Sequence, residues 1–319
     1  MRKLWRLANG GGDFLKQFKN RISDALWIGA LNKLRTRMGW RAGWKYQRHY
    51  NKAKSEYRSD SILPSGVVVE AAQQYINAGW AAFAPPKTQE YTEEIIARLN
   101  DMESQSKIIW DEGGRFIGGD LWGEFPSIGQ IFAHGLGDFI ELAMGSNYKI
   151  FYGLMYKSER YAEEPTGSQL WHADGGPGTC MNLMLCLTDV SHKNGAMELL
   201  DWKNSLRIFH KERAAVRRIS RELFPSGKPE RSALRSPRAK WIQSVVESEQ
   251  LPVHQPEGPS GMMLAFNNNL IHRGGFVQKG HKRIVCIFHI YPSIERVPYS
   301  HYRMNGIGKT APYPARPEF

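Results

Sequence analysis

Apolar residues recur along this chain with two different periods, and the change from one to the other divides it. Phe14, Phe18, Ile22, Ala25, Leu26 and Gly29 fall near one helical face, with Lys16, Lys19 and Arg21 elsewhere around it, so an amphipathic helix is expected there. From residue 67, VVVEAAQQYINAG predicts a helix, WAAFAP a short strand closed by Pro85 and Pro86, and TQEYTEEIIARLNDM a second helix. SIGQIFAHGLGDFIELAMG predicts a further helix, with Gly145 as its stop. Beyond it the runs shorten: YKIFYGLMY, MNLMLCLTDV, GAMELL, GMMLAF and RIVCIFHIYPS, separated by Gly, Pro and Asn. Short strands bounded by turn residues point to a β-sandwich or barrel, mainly β with flanking helices.

Charge changes this picture at two places. Residues 1–58 hold 15 of the 43 Lys+Arg but only three acids, Asp13, Asp24 and Glu56, so they carry the whole formal net charge of +12. This basic extension also holds Trp5, Trp27, Trp40 and Trp44. Basic residues mixed with tryptophan suit peripheral contact with an anionic membrane surface, and packing on the chain's own domain or binding another polyanion are the alternatives. The second place is 203–240, with 12 Lys+Arg against Glu212, Glu222 and Glu230. There SLRIFHKERAAVRRISREL predicts a helix, and PSGKPERSALRSPRAK has the Pro, Gly and Ser content of a loop. The segment reads as a lid or substrate-recruiting element, or as a solvated basic surface. Beyond residue 58 the chain as a whole is neutral, with 28 Lys+Arg against 28 acids, which disfavours nucleic acid as the partner.

No stretch approaches the roughly 20 apolar residues of a membrane span, and the start lacks a signal-peptide pattern. The three cysteines, Cys180, Cys186 and Cys286, lie in apolar runs without metal-type spacing and read as buried thiols. A cytoplasmic protein is expected, associated with membrane only if the extension touches lipid.

The sharpest chemical signal is LWHADGG. His172 and Asp174 are two apart, and extended backbone sends such residues to one side. A second histidine would complete the facial set of two imidazoles and a carboxylate that leaves positions open on Fe(II) for a bidentate oxoacid and dioxygen. His272, after GMMLAFNNNLI, is the candidate. Eleven residues later Arg283 opens RIVCIFHI, where a hairpin would return it beside the metal. A guanidinium fork there can grip the distal carboxylate of 2-oxoglutarate.

These residues resemble the phytanoyl-CoA dioxygenase-like family of Fe(II)/2-oxoglutarate-dependent oxygenases over about residues 67–292. The features shared are the helix and strand before Pro85, LMYKSERYAEEPTGSQLWHADGG, the turn at Lys193-Asn194-Gly195, the distal His272 and the arginine eleven residues on. One stretch departs: after Asn194-Gly195 the family continues to a Gly-Ser-His turn, and here the sequence is AMELLDWKNS. The resemblance implies a double-stranded β-helix (jelly roll, cupin-like) over 59–295, carrying the 203–240 insertion and followed by a tail at 296–319. It implies iron held by His172, Asp174 and His272, and Arg283 as the oxoacid anchor. Lys157, fifteen residues before His172, and Asn182 are weaker candidates for contact with the oxoacid or substrate. Related halogenases have a small residue where Asp174 stands, so hydroxylation of an aliphatic C–H in a small or lipid-linked, anionic metabolite is the expected reaction. Fe(II), 2-oxoglutarate and O2 would be required, with ascorbate a reductant in vitro. The contrasting expectation is a non-catalytic jelly-roll metal-binding protein that docks on a membrane or polyanion through its basic extension.

Overall fold

The computed structural model describes residues 40–58, 64–159, 167–174, 178–223 and 235–296. The amphipathic helix expected at 14–29 and the tail beyond residue 296 lie outside them. In chain order, the first elements are α1 (Trp40–Glu56), α2 (Gly66–Ala78), β1 (Trp80–Phe83), α3 (Thr88–Ser104), α4 (Leu121–Glu124), α5 (Ser127–Ile131), α6 (Gly137–Met144) and β2 (Asn147–Ser158). They are followed by β3 (Met181–Cys186), β4 (Glu198–Leu199), α7 (Trp202–Leu223), α8 (Arg235–Ser248), β5 (Met263–Asn267), β6 (His272–Arg273) and β7 (Arg283–Ser293).

Helix α2 forms where the sequence predicts it because Val68, Ala71, Ala72 and Tyr75 make a single buried stripe. Gly79 ends it at φ 82°, and a Cβ there would meet the Trp202 ring at 2.6 Å, so both backbone and space require glycine. The single helix expected over 127–145 is instead broken. Gly135 takes φ 114° and His134 leaves helical geometry, which separates α5 from α6 across a π-helical turn. Gly145, at φ 63°, does cap α6 by donating its N–H to Glu141 O.

Five strands pair antiparallel in the order β1-β5-β3-β7-β2. A second, smaller sheet pairs β4 with β6. Single bridges extend it, His172 to His272 on one side and Leu199 to His254 on the other. The chain passes repeatedly from one sheet to the other, in the order β2, the 172 segment, β3, β4, the 254 segment, β5, β6, β7, with β4 and the 254 segment adjacent in the small sheet. This winding is a double-stranded β-helix, a jelly roll with helices packed outside.

Period-two alternation sorts the large sheet's side chains into two apolar cores. Ile284, Cys286, Phe288 and Ile290 of β7 join Leu183, Ala265 and the helices α2 to α6 on the outer face. Val285 of β7, with Met184, Cys186, Leu264 and Phe266, lies in the core shared with the small sheet. All three cysteines are free and buried, and burial pushes the Cys186 thiol up to about 12, so these are packing groups rather than nucleophiles.

The described parts of the two basic regions are better anchored than their composition suggests. Helix α1, at the end of the basic extension, buries Tyr46, Tyr50 and Ala53, and the Tyr50 hydroxyl donates to Met144 O at 2.7 Å. Helices α7 and α8, which hold most of the basic insertion, bury Leu206, Ile208, Phe209, Ile242 and Val246 in the core that also contains Leu199 and Leu200. They form a layer against the small sheet, which a swinging lid could not do without exposing that core. Arg238 pairs with Glu212, and Arg207 and Lys211 with Glu249, so part of the basic charge is already matched. Among the described residues, no helix is long and apolar enough to cross a membrane.

Candidate metal centre

His172 and His272 exchange both backbone hydrogen bonds, N–H to O at 2.9 Å and 2.8 Å. Such a closely bonded antiparallel pair puts its side chains on one face, and the two rings lie with centroids 4.3 Å apart. Asp174, two residues on, donates its N–H to Asn268 O at 3.0 Å, which fixes it beside the same face. The ligand atoms of His172, Asp174 and His272 all lie within 4.8 Å of one another.

The hydrogen bonds also decide which atoms converge. His172 Nδ1 contacts Leu170 O at 2.6 Å and His272 Nδ1 contacts Leu270 O at 2.8 Å. A carbonyl oxygen only accepts, so each Nδ1 donates and each Nε2 is the ring nitrogen left to face the site. Those Nε2 atoms face Asp174 Oδ1 at 3.6 Å and 3.8 Å. Burial, and then the neighbouring His272, lower the pKa of His172 to about 4, so its ring is neutral near pH 7. For Asp174, burial opposes ionisation, but His272, His172, His289 and the Asn182 hydrogen bond outweigh it and lower the pKa. Two imidazole nitrogens and a carboxylate oxygen thus converge on one point, and such a donor set fits a divalent metal at its open side.

The remaining candidates separate by strand face. Asn182 points inward from β3 and donates Nδ2 to Asp174 Oδ2 at 2.6 Å. It therefore occupies one carboxylate oxygen and leaves Oδ1 for the ion, a contact with a metal ligand in place of the expected contact with oxoacid. Arg283 shares the inward face of β7 with Val285. Its pKa is lowered by burial, its Nη1 donates to Gly195 O, and its Nε is buried without a partner. No carboxylate among the described residues forms an ion pair with it. The expected pocket role of Lys157 is not supported. Lys157 pairs with Ile284 on the face turned to the helices, and its Nζ lies 3.5 Å from Glu103 and 3.3 Å from Glu159. One position along a strand reverses the face, so Ser158, opposite Arg283, is the inward residue of β2.

Sequence reading missed His289. It is partly buried on β7 opposite Asn182, close enough to Asp174 to bear on its charge. The signal was present, because 283, 285, 287 and 289 are alternate positions of one predicted strand.

No family model and no curated protein matches the chain. Among solved structures it is similar to EctD from S. alaskensis with 2-oxoglutarate and 5-hydroxyectoine, at 11% identity over 84% of this chain and 92% of that one, TM-score 0.49. AviO1 from Streptomyces viridochromogenes Tue57 aligns at 16% identity over 75% and 99%, TM-score 0.46. The non-heme alpha ketoglutarate dependent epimerase SnoN from nogalamycin biosynthesis aligns at 14% over 70% and 82%, TM-score 0.45. At these identities and scores, the chemistry must be argued from the site itself.

Proposed function

We propose that this chain is an Fe(II)- and 2-oxoglutarate-dependent dioxygenase of the phytanoyl-CoA dioxygenase-like type, which hydroxylates an aliphatic C–H of a small or lipid-linked anionic metabolite. The observation that carries this reading is the pairing, inside one jelly roll, of a two-histidine, one-carboxylate set with the largely buried Arg283, which has no acidic partner among the described residues. A buried guanidinium without a counter-ion is costly, and a dicarboxylate with one end on the metal and the other on Arg283 would relieve it.

His172, Asp174 and His272 would hold the iron, whose bound state supplies the oxidation: O2, 2-oxoglutarate and R–H give succinate, CO2 and R–OH. The protein's part is positional. Leu170 O and Leu270 O fix the two histidine tautomers, Asn182 turns one oxygen of Asp174 toward the ion, and Arg283 orients the oxoacid. Apolar Met184, Leu264, Phe266 and Val285 around them limit water. The charge of Arg235, at the start of α8, bears on His172 and supports an anionic substrate approaching from the insertion. Peripheral membrane contact through residues 1–58 belongs to the same proposal and would suit a lipid-linked substrate.

The test is anaerobic addition of Fe(II) and 2-oxoglutarate to the purified protein, read by the weak visible absorption of metal-chelated oxoacid. The band is expected in the wild type and absent in His172→Ala. Arg283→Ala should keep the metal and weaken 2-oxoglutarate by about 3 kcal/mol, on the order of 100-fold. Metal binding without any oxoacid band would leave a binding protein in place of an oxygenase.

A further inference from the structure

The residues next to the two histidine ligands are both fastened to one side chain of helix α8, which starts within the basic insertion. Backbone alternation sends Trp171 and Arg273 to the opposite face of the small sheet from His172 and His272. There, Trp171 Nε1 donates to Gln243 Oε1 at 2.5 Å and Arg273 Nη1 donates to the same oxygen at 3.0 Å. Arg273 also donates through Nε and Nη2 to Glu198 Oε2, at 3.0 Å and 2.7 Å, and its guanidinium lies 4.7 Å from the centre of the Trp171 ring. Gln243 is on α8 beside Ile242, which is fully buried in the core under the small sheet.

We propose that Gln243 is a positioning residue for the metal centre and that helix α8 is a clamp on it. The small sheet needs one. The His172 and His272 segments share one bridge, flanked by Gly274 N–H to Ser168 O at 2.8 Å and Asp174 N–H to Asn268 O at 3.0 Å, and β6 is two residues long. So short a ladder fixes twist and spacing poorly. Gln243 Oε1 joins the reverse side of both ligand segments through one atom, and Glu198 on β4 extends the link to the next strand. Rotation or separation of the histidines would break hydrogen bonds to a rigid helix. The inference rests on the reading of His172, Asp174 and His272 as metal ligands, and it assigns helix α8, which runs on from the basic insertion, a role in holding those ligands in place.

The test uses the full chain and Co(II) as the probe, with affinity measured by chelator competition and geometry by the visible Co(II) bands. Gln243→Leu removes the acceptor and keeps the methylene packing; Co(II) should bind about tenfold more weakly, with shifted bands. Gln243→Glu keeps an acceptor at the same reach and should bind near the wild-type level. The clamp is refuted if Gln243→Leu binds Co(II) as the wild type does with unchanged bands, or if Gln243→Glu loses as much as Gln243→Leu. Should Gln243→Leu not fold, Arg273→Lys serves in its place: it keeps a charge opposite Glu198, but an ammonium cannot span both acceptors as the guanidinium does. Weaker Co(II) binding supports the clamp and unchanged binding refutes it. A wild type that binds no Co(II) would overturn the metal reading itself, before any variant is made.

Discussion

The two sheets of the jelly roll are made to different standards. The large sheet has strands up to 12 residues long, and β2 and β7 stay paired from Asn147–Ser293 to Ser158–Arg283 with one shift near Ile150. The small sheet is a set of one- and two-residue pairings. Yet the small sheet carries His172 and His272, and Asp174 follows it directly. A long ladder with apolar residues on both faces gains stability from burial and has little room to move a side chain. A short ladder contributes little stability, and it can place ligands only if side chains behind it, here Trp171, Arg273 and Gln243, take over the fixing. Stability and chemistry are therefore separable in this molecule, and substitutions in each sheet should show it.

The largest effect belongs to the ligands. Asp174→Ala removes the one anionic donor. It should reduce 2-oxoglutarate turnover to the uncatalysed background, assayed as succinate formed with Fe(II) present, while the melting temperature stays within a few degrees. Retained turnover would take this carboxylate off the metal. A collapse in melting temperature would mean that the site also holds the fold together, contrary to the division drawn above.

Next comes the converse experiment in the large sheet. Phe288 is fully buried against Phe132, edge to face at 5.3 Å, and against Trp122 at 6.0 Å. Phe288→Ala should lose about 3–5 kcal/mol in denaturant unfolding, the usual range for a large aromatic removed from a core. Below its unfolding transition the variant should bind metal with little change. If Co(II) affinity fell together with stability, the two sheets would be a single unit.

The same contrast explains what could be read in advance. RIVCIFHIYPS is a strand at Arg283–Ser293, as its apolar run predicts, because burial on both faces leaves a continuous signal. That His172 and Asp174 come together was legible because their relation is local, and His272 was expected beside them from the strand, polar turn and strand end that precede it. The break between α5 and α6 was hidden, since Gly135 acts there through a left-handed φ that the surrounding apolar period gives no reason to expect. Lys157 was misplaced by a single residue of strand parity, which only the register with β7 decides. Gln243 left no trace at all. It lies 72 residues from Trp171 and 30 from Arg273, and no periodic pattern links positions so far apart.

The smallest effect is expected where the two sheets meet. Asn182 belongs to the long ladder, pairing with Phe266 and His289, but its amide holds Asp174 Oδ2 on the ligand side. A hydrogen bond to a charged group contributes about 1.5 kcal/mol at the lower end of its range, which is about tenfold in an equilibrium. Asn182→Ala should therefore weaken Co(II) by about that factor, because the freed carboxylate samples orientations that turn both oxygens toward the ion or neither. Asn182 Oδ1 is buried without a partner, so the same substitution also removes an unsatisfied acceptor, which offsets part of the packing lost. Unfolding free energy should then move less than for Phe288→Ala, and metal affinity more. The reverse order would place Asn182 with the stability of the large sheet and leave Asp174 oriented by its backbone bond to Asn268 alone.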